Sequence, residues 1–268
     1  MKIANKIGRY LFLAIAVTGS FSFARETNHL SQSDQWVVEG ALHVSDGAFD
    51  EAIADFSKAI ESNPTNANAI FNRASVYRAK GDFEKSIAGF DTYILLNPTN
   101  AMAFENRASD FAGLGEFDKA IKDWSEGLRL NPNDATALAM RGFCYNNEQR
   151  FNDALKDYYR AIQIDPTNAS AWNNLGWQRA TCPIAAMRDG KEAVEAATKA
   201  CDFSNWKNWT RVDTLAAAFA EAGDFQQAVK YQNQALNMIA AGDEERKAMQ
   251  NRLALYQQQQ PYRKIYKR

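Results

Sequence analysis

The sequence predicts an all-α protein, a solenoid of about six helical hairpins closed by a C-terminal capping helix. Three observations carry that expectation. Pro64, Pro98, Pro132 and Pro166 are spaced 34 residues apart, each preceded by Asn or Asp (Asn63, Asn97, Asn131, Asp165). Related text recurs between them: G-D-F-E-K-S-I at 81–87, G-E-F-D-K-A-I at 115–121 and R-F-N-D-A-L at 150–155. Each period also holds two apolar stretches at helical spacing, as in Ile70, Ala74 and Tyr77 followed by Phe83, Ile87 and Phe90. A fixed period of this size marks a repeat array, in which each hairpin buries its apolar face against the next and no single core is needed.

Both ends of the chain differ from this pattern. Residues 1–24 carry Lys2, Lys6 and Arg9, then an apolar run from Leu11 through Phe23, with Ser22 and Ala24 placing small residues before a cut at Ala24/Arg25. That is the layout of a secretory signal peptide, predicting a periplasmic or secreted protein with no stable membrane insertion once it is removed. Its apolar run of about 13 residues is short of the roughly 20 that span a bilayer, which makes an uncleaved anchor the lesser alternative. Residues 25–32 read as a linker, and 261–268 as a solvated basic tail with Arg263, Lys264, Lys267 and Arg268. Without the leader, 28 basic residues stand against 32 acidic ones, a balance that points away from nucleic acid and anionic membrane as partners.

The array itself spans 33–240. Four regular repeats occupy 33–66, 67–100, 101–134 and 135–168, each starting so that its proline is position 32. Gly47, Gly81 and Gly115 sit at the joint between the two helices, where a positive φ is commonly required. Gln149 stands there in the fourth repeat and predicts a less tight turn. The proline cannot continue the second helix, and Thr65-Asn66, Thr99-Asn100 and Thr167-Asn168 are placed to cap the next one. The fifth repeat, 169–208, is irregular: the anchors Gly176 and Ala216 lie 40 residues apart, and Pro183 ends a helix early. The sixth covers 209–240, and 241–260 reads as the capping helix.

Side-chain size keeps the same period. Position 8 is Gly40, Ala74, Ala108 and Gly142, and position 20 is Ala52, Ser86, Ala120 and Ala154. Bulk falls at position 11 (His43, Tyr77, Phe111, Tyr145) and position 24 (Phe56, Phe90, Trp124, Tyr158). Large against small at fixed spacing is how helix pairs interlock. The pattern resembles the tetratricopeptide repeat, with its 34 residues, small side chains at 8, 20 and 27, aromatics at 11 and 24, and proline at 32. The resemblance covers about Ser33 to Ile239. It implies a right-handed α-solenoid that binds proteins or peptides along the concave face formed by the first helix of each repeat. Tyr93 departs from it at position 27, where Ala59, Gly127 and Ala161 are small, and predicts a wider helix pair.

Signatures of catalysis are missing from the text. His29 lies in the linker, His43 fills an aromatic slot, and no metalloprotease, nucleophile-elbow, phosphate-loop or paired C-x-x-C motif occurs. Asp55, Glu84, Asp118 and Asp157 are expected on solvated faces. No cofactor is implied, and an enzyme built on 181–209 has no residue in its favour. Cys144, Cys182 and Cys201 are expected as three buried thiols. In a helical hairpin Cys182 and Cys201 fall about 15 Å apart along the axis, too far for the roughly 7 Å that a disulfide allows.

The groove supplies the candidate site. Position 6 places Asn72, Asn106 and Asn174 on inner faces, and an Asn amide matches the donor and acceptor of a peptide unit. Such an asparagine ladder resembles that of some superhelical members of the family. Phe71, Phe143, Asn146, Asn173 and Trp177 complete the candidate lining. Phe143 and Trp177, both at position 9, would either anchor apolar side chains of a partner or pack on 181–190. The family's carboxylate clamp is not matched: the positions flanking Asn72 are Val37, Ala41, Met102 and Asn106, without the required basic residues. Arg73, Arg107 and Arg141, at position 7, are expected along the helix seam. The resulting expectation is a non-catalytic protein- or peptide-binding adaptor; the alternative is a self-assembling structural subunit of an envelope complex.

Overall fold

Each of the four regular periods folds into two helices because its apolar stretches are punctuated at the joint by a residue in left-handed conformation and at the end by proline. The computed structural model describes residues 30–240 and 242–266. The leader over 1–24 and most of the linker over 25–32 lie outside the described residues. Among those described, no helix is long and apolar enough to cross a membrane.

The chain divides into two units, the first ending at Asn131 and the second beginning at Pro132. In the first, α1 (Gln32–Ser45) pairs with α2 (Phe49–Ser62), α3 (Ala67–Lys80) with α4 (Phe83–Leu96), and α5 (Ala101–Gly113) with α6 (Phe117–Leu130). In the second, α7 (Ala135–Asn147) pairs with α8 (Phe151–Ile164), α9 (Ala169–Thr181) with α10 (Gly190–Asp202), and α11 (Trp209–Glu221) with α12 (Phe225–Met238). The helix α13 (Glu245–Gln257) packs on α12.

The punctuation works as the residue chemistry demands. Gly47, Gly81, Gly115 and Gly223 take φ between 75° and 84° at the joints. Asn66, Asp134 and Asn168 accept the backbone N–H of Ala69, Ala137 and Ala171, at 3.1, 2.8 and 2.9 Å. Asn100 differs: its amide donates to the Tyr93 hydroxyl at 2.8 Å. Gln149 adopts the same left-handed conformation as the glycines, with φ 59°. The turn is therefore as tight as the others, and the strain sits in the residue. Gln149→Gly should raise stability by about 0.5–1 kcal/mol, the left-handed penalty less the entropy of glycine, read as an upward shift of the urea midpoint.

Close helix contact depends on the small positions. A Cβ added to Gly142 would lie 2.6 Å from the Tyr158 ring, and one on Gly40 2.7 Å from the Phe56 ring. In the second repeat the close approach moves to Gly89, whose added Cβ would meet the Ala74 Cβ at 2.7 Å. This glycine lies one turn before Tyr93 and keeps α4 near α3 at that level. Tyr93 itself is buried, edge-on to Phe71 with ring centroids 5.0 Å apart.

The seam arginines bond across the helix pairs, and one of them, Arg141, holds an acid that the sequence placed on a solvated face. Arg107 grips Asp123 with Nε and Nη2 at 2.7 and 2.8 Å, and reaches Asp91 with Nη1 at 2.6 Å. Arg141 holds Asp157 in the same forked way, at 2.7 and 2.8 Å. Arg73 donates to the Ser57 hydroxyl at 3.1 Å. Asp157 and Asp55 are thus buried and paired, Asp55 between His43 and Lys58, whereas Glu84 and Asp118 are exposed. The difference is register: position 23 faces the first helix of its own hairpin, where Asp157 meets Arg141 and Asp55 meets His43, and position 18 does not. Asp110 is fully buried beside Arg78 and the Ser86 hydroxyl, and burial pushes its carboxyl up to about 7.

The irregular fifth repeat is pinned by arginines. Arg188 donates to the Cys182 carbonyl at 2.9 Å and pairs with Glu221 at 3.0 Å, and Arg179 pairs with Glu192. At its far end Asn205 and Trp206 take positive φ, and the Trp206 ring stacks on Tyr231, which stacks in turn on Phe219. Cys144, Cys182 and Cys201 are buried free thiols; burial pushes Cys144 and Cys201 up to about 12. At the C-terminal end α13 turns Met249, Arg252 and Tyr256 inward. Arg252 forks onto Asp213 at 3.1 and 2.8 Å, and Gln232 donates to the same carboxylate at 2.7 Å.

Candidate functional site

The candidate residues divide between the units. In the first, α3 carries Phe71 and Asn72, and α5 carries Asn106. The Phe71 ring turns into the hairpin, edge-on to Phe90 at 5.4 Å and to Tyr93. It is a core neighbour, held there because Tyr93 offers a ring where most repeats have a small side chain. Asn106 accepts from Arg78 Nη1 at 2.5 Å, so its carbonyl is already engaged by α3. Asn72 is half-buried on the same face.

In the second unit, α7 carries Phe143 and Asn146 and α9 carries Asn173, Asn174 and Trp177. Asn174 donates to the Ala139 carbonyl at 3.4 Å, a long bond that ties α9 to α7. The Asn173 amide oxygen is buried with no hydrogen-bond donor among the described residues. Phe143 is half-buried, and its carbonyl accepts from the Asn147 amide at 2.8 Å. The ladder asparagines therefore do not form one uniform row: two of the three are spent on neighbouring helices.

The second unit holds an occupant instead. The segment after α13, read from sequence as a solvated basic tail, folds back along this face through Tyr266. Its turn is made by Gln259 at φ 58° and followed by Pro261. Tyr262 lies against the Trp177 ring, with centroids 5.9 Å apart, and the Arg252 guanidinium lies over both rings at 5.6 Å. The Lys264 backbone N–H donates to the Thr181 carbonyl at 2.9 Å. Its ammonium donates to Asn147 Oδ1 at 3.1 Å. Tyr266 sits edge-on to Phe151 at 5.5 Å and donates to Asn146 Oδ1 at 3.3 Å. Between these inward residues, Arg263 pairs with Glu221 at 2.6 Å, and Ile265 is 84 % exposed. The segment thus crosses from α13 and α11 over α9 to α7, against the chain order of the helices.

Two sequence expectations change. Residues 261–266 are a packed element, because Tyr262 and Tyr266 find rings to rest on and water does not offer that. Trp177, left between a partner and segment 181–190, faces Tyr262. The signal was present as Tyr262-x-Lys264-x-Tyr266 after a proline, an alternation that reads as one face of an extended segment. Burial lowers the Lys264 ammonium to about 8 and raises the Tyr266 phenol. This face offers stacking surfaces, amide groups and a backbone acceptor, the equipment for holding a peptide. Among the described residues no group of three or more His, Cys, Asp or Glu is arranged to hold a metal ion.

Comparison with known proteins agrees with this architecture. Tetratricopeptide-repeat families match at residues 36–66, 56–88 and 135–168. Among curated proteins there is no match. Among solved structures, the chain is similar to a tetratricopeptide repeat protein from Parabacteroides merdae, at 19 % identity over 85 % of this chain and 88 % of that one, with a TM-score of 0.70. It is similar to PilW, described as a type IV pilus biogenesis factor, at 18 % identity over 82 % of this chain and 100 % of that one, TM-score 0.68. MamA matches at 22 % identity over 67 % of this chain and 98 % of that one, TM-score 0.55. At these identities the likeness is one of fold.

Proposed function

We propose that the chain, which is a tetratricopeptide-repeat protein, serves as a non-catalytic adaptor that binds a protein through an extended peptide segment, outside the cytoplasm. The repeat fold fits a protein-interaction role. The observation that carries the peptide reading is the seating of residues 262–266 on α7, α9 and α11 of the second unit, by ring contacts, hydrogen bonds to side-chain amide oxygens and one backbone hydrogen bond. That face accepts irregular polypeptide. Asn146, Asn173, Asn174, Phe143 and Trp177 border the path, and Phe71, Asn72 and Asn106 are the corresponding candidates in the first unit. The extracytoplasmic part rests on the leader layout of residues 1–24.

Selection of displayed random peptides on the full chain tests this reading. Enriched peptides should bind the wild-type chain and lose at least about tenfold in affinity to Trp177→Ala and Asn146→Ala chains with unchanged circular dichroism, the effect of removing an anchoring contact. Selection that enriches nothing, or peptides indifferent to both substitutions, would show that the groove is not the binding surface. Light scattering that shows concentration-dependent growth through the repeats would favour a self-assembling subunit instead.

A further inference from the structure

The tail that occupies the groove is a polypeptide in its own right, and its contacts state what the groove selects. Counting inward residues, the pattern is aromatic, any, lysine, any, aromatic. The first aromatic closes the Trp177 and Arg252 stack, the lysine meets Asn147, and the second aromatic meets Phe151 and Asn146. The exposed Ile265 contributes nothing to the seat. Glu221 favours a basic residue between the first aromatic and the lysine.

The same contacts show that the seat is made to be left. Lys264, partly buried, gives up water for one amide oxygen and one ring at 4.7 Å, with no carboxylate partner among the described residues. Burying a cation without an opposite charge is unfavourable, so the docked tail is held by its two rings against that cost. A short tether keeps it in place nonetheless, because a tethered segment acts at an effective concentration on the order of millimolar. A weak ligand on a tether is well suited to competing with an untethered one.

We infer that residues 262–266 are a resident, displaceable ligand of the second unit's groove, and that the partner is a protein presenting an aromatic-x-Lys-x-aromatic segment that takes the tail's place. This deepens the adaptor reading and rests on it. The resident tail sets the threshold a partner must exceed: if it is docked nine-tenths of the time, apparent partner affinity falls about tenfold.

The test uses full-length chains and a fluorescein-labelled peptide of sequence P-Y-R-K-I-Y-K-R, matching residues 261–268. Fluorescence anisotropy should show about tenfold tighter binding to a Tyr262→Ser/Tyr266→Ser chain than to wild type, with binding lost when Trp177→Ala is added. A peptide in which Tyr, Lys and Tyr at the three inward places are replaced by Ser should not bind. Equal affinity for the two chains, or no binding to either, overturns the inference. In case the double substitution perturbs folding, hydrogen exchange on the wild-type chain gives an independent answer. The Lys264 amide should exchange orders of magnitude faster than amides in the middle of α9 and α11; protection equal to theirs makes the tail a permanent part of the fold and overturns the inference. Peptides selected equally well on wild-type and tail-substituted chains would likewise remove the gate while leaving the adaptor reading intact. Wild-type dimers dissolved by the labelled peptide would identify the occupant as a second copy's tail and overturn the partner assignment.

Discussion

Asp213→Ala should destabilise the second unit by about 3–5 kcal/mol, seen as a large fall in its denaturation midpoint followed by tryptophan fluorescence from Trp172, Trp177, Trp206 and Trp209. The carboxylate is 4 % exposed and accepts from both Arg252 nitrogens and from Gln232. Its removal leaves the Arg252 cation buried without a counter-charge, and that uncompensated charge rather than the lost attraction sets the size of the effect. The consequence extends to the groove, since the same guanidinium lies over both the Trp177 and the Tyr262 ring. Replacing both partners by apolar residues, Asp213→Leu with Arg252→Met, should recover most of the loss. If the single substitution costs under 1 kcal/mol, the pair is not the link between α11 and α13 described above.

Phe90→Ala should cost the first unit about 3–5 kcal/mol, measured by urea denaturation with Trp36 and Trp124 as reporters. Phe90 is fully buried, packs with Ile70, Ala74 and Tyr93, and supports the Phe71 ring edge-on. Neighbouring helices can collapse only partly into such a gap, so the cost combines lost transfer energy with a residual cavity. Phe71→Ala, at a half-buried position on the rim of the same cluster, should cost visibly less. Comparable losses for the two would mean that Phe71 belongs to the core as fully as Phe90 does.

Much of the architecture was legible because it is local. Helix starts, turns and stops depend on residues a few positions apart, and four copies in register repeat each signal. The seam pairs were also within reach: Arg107 with Asp123 and Arg141 with Asp157 share a separation of 16 residues in two successive repeats. Asp55 and Asp157 were misjudged because an acid on a second helix reads as solvated unless its cross-helix partner is identified. The Gln149 turn was misjudged because propensity disfavours a conformation that the surrounding hairpin nevertheless imposes.

By itself the sequence determined that this chain is an array of helical hairpins on a 34-residue period, where the regular hairpins turn and stop, and which positions must be small. These follow from short-range periodicity and punctuation. Only the tertiary structure decided that the array separates into two units after Asn131, that two ladder asparagines serve neighbouring helices, and that a tail occupies the second groove. Lys264 meets Asn147 across 117 residues and Tyr266 meets Asn146 across 120. No period in the text spans such distances; the contacts form because rings and a desolvated cation find their best surfaces only after the hairpins have stacked.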